Sequence, residues 1–364
     1  MALDPVTGLA SYVLVAKETT YGQAPSPFPG TVHQYLNFNS EDFDEDRENL
    51  ASPRISTNKL PWTRVHRSAR KVVGTLVFEL PYSGAELIFE AAWGARHTAT
   101  MQKINSPEVY THWFTTDTEL PSLTIEVGFE DRAMQIYGCV VRKLTFSVSS
   151  TGYTICKADI VGQRSEIFNV PGQVPEITPV FRDYRVVSSH HDPFIITWYT
   201  RGQSSEANEP DLISFEAVIE NDIRLSYPLG SDLMKKPRPG GYRKCSGSLT
   251  GEFNDSDFDA FRWYNSALKG LWVQYARNGV KVPVKNAGGN GGDAEYEIEY
   301  RGAKLDLRGA TPKITSEGRV ILDVSFEGFF DVTGVGFGWE EADEPFTFRT
   351  QNDLNEDLLS VTER

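Results

Sequence analysis

The chain is poor in the residues that build reactive centres. Its 364 residues include three cysteines and six histidines. Cys139, Cys156 and Cys245 match neither a disulfide framework nor a metal-ligand spacing, and buried free thiols are expected. No run approaches the ~20 apolar residues needed to cross a bilayer, so no membrane partner is expected. The start, Met1-Ala2-Leu3-Asp4-Pro5, lacks a basic region followed by an apolar run, and no signal peptide is expected. Positive charge is also scarce. Against 50 Asp and Glu stand 36 Lys and Arg, giving a net charge of −14 and a pI near 5.0. That balance excludes a sequence-independent grip on nucleic-acid phosphates, which needs clustered cations. An acidic surface repels a polyanion, which is useful where DNA must pass without sticking, and it also serves plain solubility.

Motifs for chemistry are missing too. His190-His191-Asp192 is the most tempting cluster, but adjacent residues of a strand point to opposite faces and no third ligand stands at a suitable spacing. Gly288-Gly289-Asn290-Gly291-Gly292-Asp293 lacks the Lys-Ser/Thr of a phosphate loop and reads as a hairpin tip. The acidic run Glu41–Glu48 lacks the glycine and terminal glutamate of a calcium loop and reads as a solvated loop. No carboxylates are paired for acid–base work. No catalytic residue, metal or cofactor is expected, and the chain reads as no enzyme.

What is present is a near-repeat. Arg70-Lys71-Val72-Val73-Gly74-Thr75-Leu76-Val77-Phe78-Glu79, a short turn and Ala85–Trp93 align without a gap on Arg243-Lys244-Cys245-Ser246-Gly247-Ser248-Leu249-Thr250-Gly251-Glu252, a turn and Phe258–Trp263, at an offset of 173 residues. Ser150–Gly162 resembles Ser316–Gly328 in the same order. Each of these is preceded by a partner strand, Gly138–Val148 or Tyr300–Leu307, so a hairpin is expected in both halves. Two segments repeated in one order point to duplication of a structural unit.

Between these landmarks the pattern is mainly β. Tyr12–Ala16, Tyr35–Phe38, Val72–Leu80, Leu123–Phe129, Met134–Val141, Arg142–Val148 and Tyr153–Val161 read as strands of the first half. Leu212–Ile223, Cys245–Phe253, Leu271–Tyr275 and Tyr296–Tyr300 read as strands of the second. Helices are expected at Ser83–Trp93 and near Asp257–Lys269. Ser83 and Glu86 form a capping-box pattern, and Leu87, Ile88, Ala91 and Ala92 make one apolar face. The connection Ser52–Lys71 is polar and basic and follows the acidic run; it reads either as an interface loop or as a solvated one. A second polar-basic loop, Lys235–Lys244, holds the matching place downstream. Three prolines in Val170–Pro179 mark a linker. The expected organisation is a first domain with an N-terminal arm at 1–170, a linker at 171–183, a second domain at 184–332 and a C-terminal arm at 333–364.

Strand Arg70–Leu80 running into Ala85–Trp93, Leu123–Phe129 with Tyr137–Val148, Phe215–Ile223 and Val320–Gly328 together resemble the tail tube proteins of long-tailed bacteriophages, in the group whose chain carries two tube-type domains. The likeness covers most of the chain, with Tyr184–Asn208 the weakest part. It implies two tandem β-sandwich or barrel-like domains, each with a flanking α-helix. It further implies that three copies form a pseudo-hexameric ring, that rings stack into a hollow tube, and that genomic DNA passes through without specific binding. Other implied partners are a tape measure protein in the lumen, with a terminator and a baseplate or tip protein at the ends. The implied place is the virion tail, assembled in the host cytoplasm. On this reading Glu79 and Glu252, which align between copies, are candidates for the lumen wall; the outer surface or a domain seam is the other place for them. Asp42, Asp44, Glu45, Asp46, Arg54, Lys59, Arg64 and Arg67 are candidates for contacts between rings. A baseplate or receptor-binding component with a carbohydrate-contacting β-sandwich is the alternative; it would want exposed tryptophans, for which Trp62, Trp113 and Trp198 are candidates.

Overall fold

In the computed structural model the described residues are 11–30, 32–51, 65–101, 109–129, 132–168, 186–187, 194–200, 212–252, 269–276, 282–285, 291–294, 297–314, 320–328 and 346–352. The first half contains β1 (Ser11–Lys17), β2 (His33–Leu36), β3 (Ser40–Glu41), β4 (Asp44–Ala51), β5 (Val65–Glu79), helix α1 (Glu86–Trp93), β6 (Gly94–Met101), β7 (Val109–Thr116), β8 (Leu123–Phe129), β9 (Arg132–Ser149), β10 (Ile155–Gly162) and β11 (Arg164–Phe168). The second contains β12 (Phe194–Thr200), β13 (Leu212–Glu220), β14 (Ile223–Arg224), β15 (Arg238–Pro239), β16 (Lys244–Glu252), β17 (Lys269–Ala276), β18 (Val282–Lys285), β19 (Gly291–Ala294), β20 (Glu297–Ile314), β21 (Val320–Gly328) and β22 (Phe346–Asn352). The fold is mainly β, as the alternating pattern predicts. The helix expected near Asp257–Lys269 lies outside the described residues.

One continuous antiparallel wall organises the molecule. Its strands run β3/β4, β5, β10, β9, β13, β16, β21, β20, so the two halves join through β9 and β13. β9 and β20 are long enough to serve two sheets. The first part of β9 turns into a second sheet, β2-β1-β8-β9-β11. The first part of β20 does the same in β12-β17-β20-β22-β7-β6. Met134–Val141 and Arg142–Val148, expected as separate strands, are therefore one strand bent across both layers, with a bulge opposite Asp159/Ile160 to take up the bend.

The core lies between the layers. Leu76 and Phe78 of β5, Leu144 and Phe146 of β9, and Cys156 and Ala158 of β10 point into it on alternate positions. Every residue of α1 is buried, because the helix is enclosed by strands rather than laid on a surface. The sequence places its cap at Ser83, but the structure differs. Ala85 holds the cap position without a side-chain bond. Glu86 instead accepts from the Gly84 amide at 2.8 Å and from Gln34 Nε2 at 2.6 Å, while Gln34 Oε1 receives the Leu87 amide at 3.0 Å. A glutamine from a distant strand thus satisfies the helix start, and a local pattern cannot see it. Gly94 ends the helix at φ 113°, a conformation that favours glycine.

Two further expectations change. The acidic run is not a loop: Asp44–Ala51 is a strand paired with β5 from Asp44↔Val73 to Ala51↔Val65. β5 consequently starts at Val65 rather than Val72, and the Ser52–Lys71 connection is in part a long hairpin arm. Cross-strand pairing overrides the weak strand propensity of Asp and Glu here. The segment expected as a C-terminal arm contains β22, whose Phe348 is buried.

Glu18 follows β1 as a buried carboxylate. Its oxygens accept from the Gly22 amide at 2.8 Å, the Gly138 amide at 2.8 Å and Thr124 Oγ1 at 2.9 Å. Burial pushes its pKa up, and those donors oppose the rise. Glu18→Ala would leave buried donors unpaired. The expected cost is about 1–3 kcal/mol, with faster hydrogen exchange at the Gly22 and Gly138 amides. Unchanged exchange at both would show that the carboxylate does not hold the turn.

Candidate functional site

The feature with functional content is the wall. One face carries the core. On the opposite face of β5 stand Val73, Thr75, Val77 and Glu79, and on that of β10 Ile155, Lys157, Asp159 and Val161. Glu252 continues this face in β16, where its register partner is Ile321. The candidates Glu79 and Glu252 therefore share the face turned away from the core. Glu252 is exposed. Glu79 is half-buried and borders a cavity of about 500 Å³ with Leu36, Phe38, Pro81 and Val186.

The two halves of the wall pair in the same register. In the first half Glu79 faces Ile155 and Gly74 faces Ile160. In the second, Glu252 faces Ile321 and Gly247 faces Phe326. Offsets of 173 residues for one strand and 166 for the other superimpose the pairs. Each half also carries a threonine–aspartate bond on this face, Thr75 Oγ1 to Asp159 at 3.1 Å and Thr250 Oγ1 to Asp323 at 2.9 Å. Lys313 Nζ donates to the other Asp323 oxygen at 3.0 Å. The bonds from Lys313 and Thr250 hold the Asp323 carboxyl below its ordinary value.

Val72–Glu79, Val140–Phe146 and Cys245–Glu252 lie in the wall throughout. In β20 the wall portion is Leu305–Ile314, paired with β21, whereas Glu297–Gly302 belongs to the other layer. The strands β10, β13 and β21 complete the wall.

The residues nominated for contacts between rings have diverse surroundings. Asp42 accepts the Thr75 amide. Asp44 is exposed opposite Val73. Asp46 pairs with Lys71 at 3.4 Å. Glu45 is turned inward: it accepts from Ser165 Oγ at 2.7 Å, the Ser165 amide at 3.1 Å and Arg47 Nε at 2.5 Å. Burial raises its pKa, but the bonds from Ser165 and Arg47 outweigh this and leave it below its ordinary value. Arg67 lies opposite Asn49 in the β4–β5 arm. Arg54, Lys59 and Arg64 lie outside the described residues, as do His190 and His191.

Sequence reasoning missed a strap. The loop between β13 and β16 crosses back onto the first half. Asn221 Nδ2 donates to the Ala92 and Val141 carbonyls at 2.9 and 3.0 Å, and Arg243 Nη1 to the Trp93 carbonyl at 2.7 Å. Farther along, the Arg70 amide donates to the Asp232 carbonyl at 3.0 Å and Gln163 Nε2 to that of Met234 at 2.6 Å. These bonds lock the two halves beside the β9–β13 pairing. The only signal in the sequence is the matching position of the two basic loops.

Among the described residues no group of three or more His, Cys, Asp or Glu could hold a metal ion, and no helix is long and apolar enough to cross a membrane. The three cysteines are free and buried. Burial pushes the Cys139 and Cys156 thiols up, which makes them poor nucleophiles. The architecture is mainly β and is organised by one continuous antiparallel wall. A family model described as phage tail tube protein matches residues 8–328, and the chain belongs to that family. It is a structural protein of the virion tail and not an enzyme. No curated protein matches the chain.

Proposed function

We propose that three copies of this chain close a ring of six quasi-equivalent units, and that rings stack into a tube through which genomic DNA is delivered. The units correspond to the 1–170 and 184–332 domains, joined by the 171–183 linker. The observation that carries the reading is the repeated register of β5–β10 and β16–β21. Each chain supplies eight wall strands, so three copies supply twenty-four. With strands about 4.8 Å apart and tilted about 40°, twenty-four give a circumference of about 150 Å and a bore of about 40 Å once side chains are subtracted. Two copies would leave a bore of only about 20 Å on the same geometry, which is too narrow for a hydrated duplex. Closure also removes the exposed strand edges that would otherwise drive aggregation.

The wall face opposite the core, with Glu79 and Glu252, lines the lumen on this reading. Its carboxylates, Glu216, Glu220 and Asp323 among them, outnumber its cations. Each phosphate caught by an inward Lys or Arg would slow passage and recur in every ring, so mild repulsion favours sliding. The tape measure protein would fill this lumen before DNA, with terminator and baseplate proteins at the ends, all assembled in the host cytoplasm. Negative-stain microscopy of purified protein should reveal rings or tubes; discrete monomers at high concentration would sink the proposal. In an electrostatic map of the assembled tube, a lumen dominated by Lys and Arg would overturn the sliding argument alone.

Stacking is assigned to the arm that begins at β4 and β5. Shortening it by deleting Ser52–Lys59 should leave folded chains and rings but no long tubes. Tubes of normal length from that deletion would remove the arm from the stacking mechanism.

A further inference from the structure

The wall ends in two open edges, and the chain itself contains a template for how they meet. Among the described residues, β3 and β4 pair only with β5. At the other end, Asp306–Ile314 of β20 pairs only with β21. Between the halves, the equivalent strands are already joined: β9 pairs with β13 as Lys143↔Glu220, Thr145↔Val218 and Ser147↔Glu216.

The equivalences follow from register alone. β16 pairs Val218 with Ser246 and Glu216 with Ser248, while β5 pairs Asp44 with Val73 and, through the Asp42 amide, meets Thr75. Shifting β16 onto β5 by 173 residues sets Glu216, Val218 and Glu220 on Asp42, Asp44 and Asp46. On the other side, β10 pairs Ile155 with Ser147, Lys157 with Thr145 and Asp159 with Lys143. β21 pairs Ile321 with Lys313, Asp323 with Thr311 and Ser325 with Arg308. Ser147, Thr145 and Lys143 therefore map onto Lys313, Thr311 and Arg308. The bulges fall at different places, between Val141 and Lys143 in β9 and between Arg308 and Thr311 in β20, so Ser147 and Thr145 map at one constant offset and Lys143 maps onto Arg308 one residue off it, across the β20 bulge.

We propose that the ring is sealed by β20 of one copy pairing antiparallel with β3/β4 of the next, with Arg308 opposite Asp46, Thr311 opposite Asp44 and Lys313 opposite Asp42. This rests on the ring reading and adds to it the register and the partner of each residue. Two features of the mapped residues support it. The register sets two basic residues opposite two acidic ones, the favourable cross-strand arrangement, and one of these pairs repeats the Lys143–Glu220 pairing inside the chain. Ile314, at the open edge, is 80% exposed, while its counterpart Val148 in the internal seam is 8% exposed. An edge isoleucine left bare in one copy is what a missing neighbour strand would cover. Asp42, Asp44 and Asp46 thereby move from contacts between rings to contacts within one ring.

The register is testable by cysteine pairing. Directly opposed residues of an antiparallel pair have Cα atoms about 4.5–5.5 Å apart, within reach of a disulfide. The native cysteines are buried and give little background. Under mild oxidation the full chain carrying Asp44→Cys and Thr311→Cys should run as covalent trimers on a non-reducing gel. The shifted pair Asp42→Cys with Thr311→Cys should stay largely monomeric. Rings seen by microscopy with linkage only in the shifted pair would overturn the register while leaving the ring intact. No rings from the unmodified protein would overturn the ring reading instead. Charge exchange is the second arm: Lys313→Glu should lose most ring assembly, and adding Asp42→Lys should restore it. Lys313 also binds Asp323 and Asp42 also accepts the Thr75 amide within the same chain, so Asp42→Lys alone is the control: it should lose assembly as Lys313→Glu does, and a folded double variant that assembles no better than either single one would overturn the pairing.

Discussion

Phe348→Ala should remove a large share of the stability of the fold, although the residue lies in a strand near the end of the sequence. β22 is inserted between β20 of the second half and β7 of the first. Phe348 stacks on Phe146 and Trp93 with centroids 5.1 Å away in both cases, and meets Phe89 edge-on at 4.8 Å and Phe114 at 5.8 Å. Those four rings come from β9, α1 and β7, so one side chain ties three elements of the first half to the last strand of the second. Truncating a buried phenylalanine costs about 3–5 kcal/mol through lost transfer energy and the cavity left behind. A domain has only about 5–15 kcal/mol in total. In urea, the midpoint should fall steeply at an unchanged slope. Phe348→Leu should recover much of the loss, because it refills most of the volume. A midpoint within error of the parent for Phe348→Ala would mean that the aromatic cluster does not hold the halves together.

The sequence shows this architecture unevenly, and the reasons are physical. Leu123–Phe129 has the same bounds in sequence and structure, because its partners β1 and β9 give a strand buried on both faces and bounded by turn residues. The repeat is legible because wall strands of the two halves keep the same alternation and the same glycine. What is not legible is the phase of β5. Val72, Val73, Leu76, Val77 and Phe78 put apolar residues on both faces, so alternation alone cannot say which side Glu79 takes; burial of Val72, Leu76 and Phe78 decides it. The acidic strand β4 is hidden for another reason. Its residues are poor strand formers, and only the partner β5 makes it a strand. β22 is hidden because Phe346 and Phe348 alternate over a short span within a Gly-rich and acidic context. The strap from β13 to β16 is hidden because its bonds run mostly from backbone to backbone or from Asn and Arg to carbonyls, which composition cannot announce.

The pair of glycines that marks the repeat should be the least replaceable positions in the wall. Neither is in the left-handed region; each is required by close approach. A Cβ on Gly74 would stand 2.6 Å from the Phe43 Cα and 2.4 Å from its ring. One on Gly247 would stand 2.2 Å from the Glu216 carbonyl oxygen and 2.3 Å from the Phe326 ring. In both halves an aromatic ring covers the glycine, that of Phe43 between β3 and β4 in the first and that of Phe326 in β21 in the second. The backbone atoms in these collisions cannot swing away as a long side chain can. Gly74→Ala and Gly247→Ala should therefore each cost about 1–3 kcal/mol as overpacking, and the valine variants more. Gly241 is the control, since a Cβ there meets only the exposed Asp222 side chain, and Gly241→Ala should be nearly neutral. Combining Gly247→Ala with Phe326→Leu should not restore the parent, because the Glu216 carbonyl remains in the way. Thermal unfolding of the four proteins separates the outcomes: a Gly247→Ala midpoint equal to that of Gly241→Ala would show that the wall relaxes around the added methyl, and that the shared glycine is not a packing requirement of the repeat.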